Sequence, residues 1–201
     1  MIQNERDTRS SHLQFVAQQM MTAARTAPKG KGVDLLEILM ITGSDILHLS
    51  EAMVALSEQT GMKFLLRDAE NILQSEVVVL VGSRQKSQNL NCGYCGFPTC
   101  RQRQEVAGNW SEEGHPGLYT PPNGTPVLEV PCAINSVDIG IALGSMVATA
   151  ADLRVDTRVM FSVGWAAMQL NWLPGCQSAY GVPVSASSKN PFFDRQSTRP
   201  A

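Results

Sequence analysis

The sequence predicts an α+β fold, with a small central sheet of three or four strands flanked by helices and interrupted by a cysteine-rich insertion. Three observations carry this. Apolar residues recur at helical spacing in several segments. EVVVLVGS, residues 76–83, sets four β-branched valines between polar residues, the composition of a strand. From Arg84 to about Ser136 the chain is rich in Gly, Pro, Asn, Gln and Cys without sustained periodicity. A stretch of that length inside a compact domain needs a task. The insertion divides the chain into 1–83, 84–136 and 137–201.

Taken in order, residues 5–27 read as a helix, with Leu13, Val16, Met20 and Ala24 on one face and Pro28 ending the run. PKGKGVD is a loop. LLEILMITG, 35–43, is apolar apart from Glu37 and the end of the run, and reads as a buried strand. Ser44 or Asp45 can cap the next helix, whose apolar face is Leu49, Met53 and Leu56 and whose stop is Gly61. RDAENILQS reads as a shorter helix before strand 76–83. Beyond the insertion, VDIGIALGSMVATAADL is a helix with Gly140, Gly144 and Ala148 on one face, a spacing that permits close packing. RVMFS, 158–162, reads as a strand, GWAAMQLNWL as a helix, and QSAYGVPVSAS as the last strand. The tail is polar except for Phe192, Phe193 and its prolines.

Composition bounds the function. The net charge of −2 gives no electrostatic reason to expect nucleic acid as a partner. No apolar run approaches the roughly 20 residues of a membrane span. The polar N-terminus, MIQNERDTRSSHLQF, does not read as a signal peptide. The expectation is a cytoplasmic protein, in which thiols stay reduced and clustered cysteines serve a metal or redox centre.

NCGYCGFPTC, residues 91–100, holds three of the five cysteines. The pattern is Cys92-x2-Cys95-x4-Cys100, and Cys132 follows after 31 intervening residues. Four thiolates suit a tetrahedral zinc or an iron–sulfur cluster. Zinc ribbons usually pair two C-x2-C knuckles, and only one is present. A cubane cluster is instead wrapped by one loop giving three ligands and a distant fourth. Glycine at 93 and 96 lets the backbone approach inorganic sulfide. The set is therefore Cys92, Cys95, Cys100 and Cys132 for a [4Fe–4S] cluster, with zinc as the alternative. Four buried free thiols would be the structural alternative, but Asn91, Pro98, Thr99 and Arg101 are not typical core neighbours. Cys176 reads as a single packed thiol, and His48 as a packed residue. No nucleophile elbow or complete phosphate-binding loop motif is present.

CGYCGFPTCRQRQEVA resembles the four-cysteine iron–sulfur domain of membrane electron-transport subunits and corrinoid iron–sulfur proteins, in which C-G-x-C-G-x-x-x-C precedes an alanine-bearing helix and a fourth cysteine. The interval before Cys132 is longer than in that domain, which leaves His115 as a reserve ligand. Over roughly residues 15–195, AARTAPKGKGVD, NCGYCGFPTC, CAINSVDIGIALGSMV, RVDTRVMFSVGWAA and YGVPVSASSKNPFFDR together resemble a family of uncharacterised prokaryotic ferredoxin-domain proteins.

The order of elements, from the ARTAPKGKG loop to a last strand ending in a Gly181–Pro183 turn, also resembles nitroreductase-like flavoproteins. That resemblance implies a homodimer binding FMN at the subunit interface. Arg25, Lys29 and Lys31 would then hold the phosphate, with contributions from Arg154 and Arg158. Without flavin, Lys29 and Lys31 are solvated turn charges, Arg25 is a favourable cation near a helix C-terminus, and Asp156 pairs with Arg154 or Arg158.

Three functions follow from these expectations. One is a redox protein passing single electrons between its cluster and a bound flavin, a partner protein or a small-molecule acceptor. Another is a zinc- or cluster-stapled interaction protein in which the metal contributes only folding energy. The last is a non-redox enzyme with three cysteine ligands and one open iron.

Overall fold

The computed structural model describes residues 2–110 and 131–193. Helix α1 (Glu5–Thr26) buries Leu13, Val16, Met20 and Ala24, the face its periodicity predicts. Asn4 caps it by accepting the Arg6 N–H at 3.1 Å. After Pro28 the chain makes a single tight turn at Gly30–Gly32. There follow β1 (Leu36–Thr42), α2 (Ser44–Thr60), α3 (Phe64–Ile72), β2 (Val77–Arg84), α4 (Cys100–Trp110), α5 (Ala133–Asp152), β3 (Asp156–Thr157), α6 (Phe161–Gln169) and β4 (Cys176–Ser185).

The four strands form one antiparallel sheet in the order β1-β2-β4-β3. The side-chain period of two sends alternate residues of β2 to opposite faces. Val77, Val79 and Val81 join Leu13, Met20, Ile139 and Met146 beneath α1 and α5. Val78 and Leu80 join Leu49, Met53, Ile72 and Val163 beneath α2, α3 and α6. Each fully buried aliphatic side chain contributes roughly 1.5–3 kcal/mol. Helices on both faces leave β2 buried from Val77 to Ser83.

Several expectations are corrected. β1 is the outer strand on its side of the described sheet, so its middle residues are half-buried rather than buried. Neither Ser44 nor Asp45 caps α2: Gly43 holds the N-cap position without a side-chain bond. Gly61 does end α2, in the left-handed conformation that favours glycine. Residues 158–162 are not a strand. β3 covers only Asp156 and Thr157, Met160 makes an isolated bridge to Gly181, and Phe161 opens α6. Gly181 donates its N–H to Met160 on this side of β4. Pro183, two residues on, presents the same side and has no N–H to give, which interrupts the ladder. Gly181 and Pro183 thus lie inside β4 rather than in a turn.

α5 starts at Ala133, inside the expected insertion, and runs for 20 residues. By length and composition it is apolar enough to cross a membrane, which the sequence reading overlooked. Here Ile139, Ala142, Met146 and Ala150 pack in the core with α1 and the sheet, as in a core helix. Gly140, Gly144 and Ala148 do not face α1: they lie on the exposed side of α5, and a Cβ at either glycine would meet nothing. Close packing instead occurs at Gly164, where a Cβ would overlap the backbone of Ala179 and which lets α6 lie directly on β4. His48 is exposed, with its ring edge-on to Trp172 at 5.8 Å. Phe192 is fully buried, so the start of the tail belongs to the core.

Candidate metal centre

The loop after β2 is shaped by residues that accept positive φ. Asn89 (52°), Asn91 (49°), Gly93 (69°) and Gly96 (88°) all take it. Glycine does so without steric cost and asparagine at little. Gly96 N–H donates to Gly93 O at 2.9 Å, closing a turn that carries Cys95 back over the loop. A Cβ at Gly96 would meet nothing and one at Gly93 only Phe97 O at 4.0 Å, so conformation rather than crowding calls for glycine here.

The loop ends on a helix cap. Thr99 Oγ1 accepts the Gln102 N–H at 3.2 Å, and the Thr99 hydroxyl lies 3.1 Å from Gln102 Oε1. Thr-x-x-Gln is the capping-box spacing, a signal present in the sequence that the reading of the cysteines passed over. The cap places Cys100 at the first position of α4. Cys132 precedes α5 in the same way.

These elements bring all four cysteines to one pocket. Cys92, Cys95, Cys100 and Cys132 line it together with Leu90, Phe97, Gln88 and Arg103. Cys92 is exposed, Cys95 intermediate, and Cys100 and Cys132 are buried. Among the described residues, no three His, Cys, Asp or Glu side chains converge closely enough to hold a single metal ion. Cys100 is tied to the loop reciprocally, with its N–H donating to Asn91 Oδ1 at 2.9 Å and Asn91 N–H donating to its Sγ at 3.4 Å. Hydrogen bonding, first from the Ser87 side chain and then from the Asn91 backbone, holds the Cys100 thiol below its ordinary pKa against the opposing effect of burial. A thiol so placed is readily the thiolate that ligation requires. His115 lies outside the described residues.

Cys176 stands apart from this pocket. Burial, aided by Glu37 and opposed by Arg84, pushes its thiol up to about 11, as expected for a packed thiol.

A buried polar cluster backs the pocket. Gln88 Nε2 donates to Asn135 Oδ1 at 2.9 Å and to Asp138 Oδ2 at 3.0 Å. Asp138 accepts the Gly30 N–H through both oxygens, at 2.9 and 3.1 Å. Asn135 Nδ2 donates to Lys86 O at 2.8 Å. Gln88 Oε1 is buried without a partner. Sequence spacing could not reveal this cluster, because its members lie about 50 and 100 residues apart in the chain.

The basic residues expected at a phosphate are placed differently. Arg25 pairs with Asp34 at 2.6 Å and donates to Leu36 O at 2.9 Å. Lys29 Nζ caps the end of α1, donating to the carbonyls of Arg25 at 2.6 Å and Ala27 at 2.7 Å. Lys31 is exposed on the Gly30–Gly32 turn, with φ of 57°. Arg154 lies past the far end of α5, whose last residue, Asp152, is about 21 Å along the helix from Asp138 at roughly 1.5 Å per residue. Arg158 donates to Phe192 O at 3.2 Å and lies 5.2 Å from the Phe193 ring centroid. Within one chain, α5 therefore separates Arg154 from the Lys29–Lys31 loop. Asp156 accepts from Asn190 Nδ2 at 2.9 Å, the side-chain hydrogen bond it makes in place of the expected arginine pair.

Residues 129–195 match a family described as uncharacterized protein containing a ferredoxin domain (DUF2148). An uncharacterized protein of Archaeoglobus fulgidus is 35% identical over 196 residues, covering 97% of this chain and 98% of the relative. The fold is similar to that of nitroreductases. A nitroreductase from Lactococcus lactis, solved with nicotinic acid, matches with a TM-score of 0.55 at 13% identity, over 94% of this chain and 81% of its own. A BluB-like flavoprotein from Clostridium difficile matches with a TM-score of 0.51 at 13% identity, over 92% and 85%. An oxidoreductase described as containing FMN matches with a TM-score of 0.53 at 14% identity, over 87% and 67%.

Proposed function

We propose an iron–sulfur redox function from one premise: this chain belongs to the family of uncharacterized proteins containing a ferredoxin domain. In this reading Cys92, Cys95, Cys100 and Cys132 hold one [4Fe–4S] cluster. The observation that carries it is the shared pocket of four thiols drawn from three segments of the chain. The family's ferredoxin domain favours a cluster over a single zinc. A cluster bound there supplies one-electron transfer. The chain's own residues set its surroundings: Leu90 and Phe97 give the wall apolar surface, Asn91 and Ser87 hydrogen-bond toward the Cys100 sulfur, and exposed Cys92 leaves one side open to a partner.

FMN is the second cofactor of this reading. Its support is the fold shared with flavin-containing oxidoreductases and the basic loop. Lys31 is exposed and available to a phosphate. Arg25 and Lys29 would have to leave Asp34 and the α1 carbonyls to join it. A homodimer completes the reading, and the exposed face of Gly140, Gly144 and Ala148, flanked by Val137 and Ile141, suits close helix contact between two copies. The electron partner is a redox protein or a small-molecule acceptor, and the protein works in the cytoplasm.

The test is anaerobic purification followed by visible absorption with iron, sulfide, zinc and flavin analysis on one sample. A broad band that bleaches with dithionite, with about four irons per chain, supports the cluster. Flavin peaks support FMN. A colourless sample with about one zinc per chain overturns the redox reading and leaves a metal-stapled interaction protein.

A further inference from the structure

Gln88 is 6% exposed and forms part of the wall of the four-cysteine pocket. Its amide reaches away from the thiols to Asp138, and both oxygens of Asp138 hold the Gly30 N–H in the basic turn. Asp138 is itself buried and does not line the pocket. Gly30 backs onto the same group: a Cβ there would come within 2.7 Å of Gln88 Oε1 and 2.6 Å of Ile134. Cys132 immediately precedes the helix that carries Asp138.

We infer that Gln88 and Asp138 are positioning residues that couple the occupancy of the cysteine pocket to the conformation of the Gly30–Gly32 turn. Loading the pocket fixes the Gln88 wall and the start of α5. That steadies the Asp138 carboxylate, which steadies the Gly30 amide. The coupling is reciprocal, so an anion held by the turn would strengthen metal retention by the same factor. The inference rests on the metal-site reading, and no step of it requires flavin.

The experiment compares amide exchange at Gly30, followed by NMR, in metal-free and metal-loaded full-length protein. One sample is reconstituted anaerobically with iron and sulfide and a second with zinc, and metal per chain is measured in each. Loading should slow exchange at Gly30 by about threefold or more. Asp138→Asn, outside the pocket, weakens the link to Gln88 while its amide oxygen can still accept the Gly30 N–H, so it should load metal without that response. If Asp138→Asn fails to load, Gln88→Met, which leaves the Asp138–Gly30 bonds, decides on the same terms in whatever fraction loads. An unchanged Gly30 in the loaded wild type, or a wild-type response in the variant that loads, overturns the coupling. Uptake of zinc without cluster formation overturns the electron-transfer reading alone, and the zinc comparison then decides the coupling. Uptake of neither overturns both.

Discussion

Asn91 and Cys100 bind each other in both directions: the Cys100 N–H donates to Asn91 Oδ1, and the Asn91 N–H donates to Cys100 Sγ. Asn91 does this from a φ of 49°. Asn91→Ala removes the acceptor and puts alanine in the left-handed region, at a cost of roughly 1–3 kcal/mol. The variant should lose iron faster than wild type during gel filtration in air. Asn91→Asp, which keeps both the acceptor and tolerance of that backbone, should retain more. Equal retention by Asn91→Ala would show that the pair does not hold the site.

The fourth ligand is tested at Cys132. Cys132→Ser should retain less than about a tenth of the wild-type metal after desalting, since it removes a direct ligand. Cys176→Ser should retain all of it. Full retention by Cys132→Ser would move the role to His115, and His115→Ala would then lose metal.

Two glycines are required by close approach. At Gly164 the obstacle is the Ala179 backbone, which cannot yield, and at Gly30 it is the Ile134 and Gln88 side chains. Gly164→Ala should cost at least about 3 kcal/mol in urea unfolding and Gly30→Ala about 1–3 kcal/mol. Gly140→Ala, with open space around it in its own chain, is the control, and in the Gly144→Leu background, where the proposed α5 contact is removed, it should be neutral or slightly stabilising. A Gly164→Ala variant as stable as the control would contradict the packing of α6 on β4.

The thiols should separate by reactivity. Cys176 has its pKa raised to about 11, so in metal-free protein at pH 8 a thiol reagent should label exposed Cys92 long before it labels Cys176. Cys176 labelling should rise about tenfold per pH unit until near pH 11. The same shift has a stability consequence. Between the ordinary thiol pKa of 9.0 and about 11, the unfolded chain has released the proton and the folded chain has not, so stability falls as pH rises. Cys176→Ala should flatten that alkaline decline. Early labelling of Cys176 would contradict its burial.

The open face of α5 gives a test of assembly. Wild-type protein should elute as a dimer by light scattering, and Gly144→Leu, whose Cβ has open space in its own chain, should elute as a folded monomer with an unchanged far-UV helix signal. A monomeric wild type would remove the homodimer from the proposal.

Much of this was legible before the fold was known. The valine run pointed to β2, helical spacing to α1, α2 and α5, and Cys-x2-Cys-x4-Cys with its glycines to the cysteine loop. These signals are local: period, spacing and the conformational range of single residues are fixed by near neighbours in the chain. Two of the failures were non-local. The 158–162 strand was lost because Pro183 denies it a donor across the sheet, and the half-buried β1 follows from its place at the sheet's end.

The sequence by itself determined which residues could ligate metal and which segments could be helix or strand, because those are properties of side-chain chemistry and short-range periodicity. Only the tertiary structure decided that Cys132 joins the three loop cysteines in one pocket. It also decided that Lys29 Nζ bonds the carbonyls at the end of α1, and that Gln88 and Asp138 tie the cysteine pocket to the Gly30 turn. Those are meetings between residues far apart in the chain, chosen by how α1 and α5 pack on the sheet, and no local pattern encodes them.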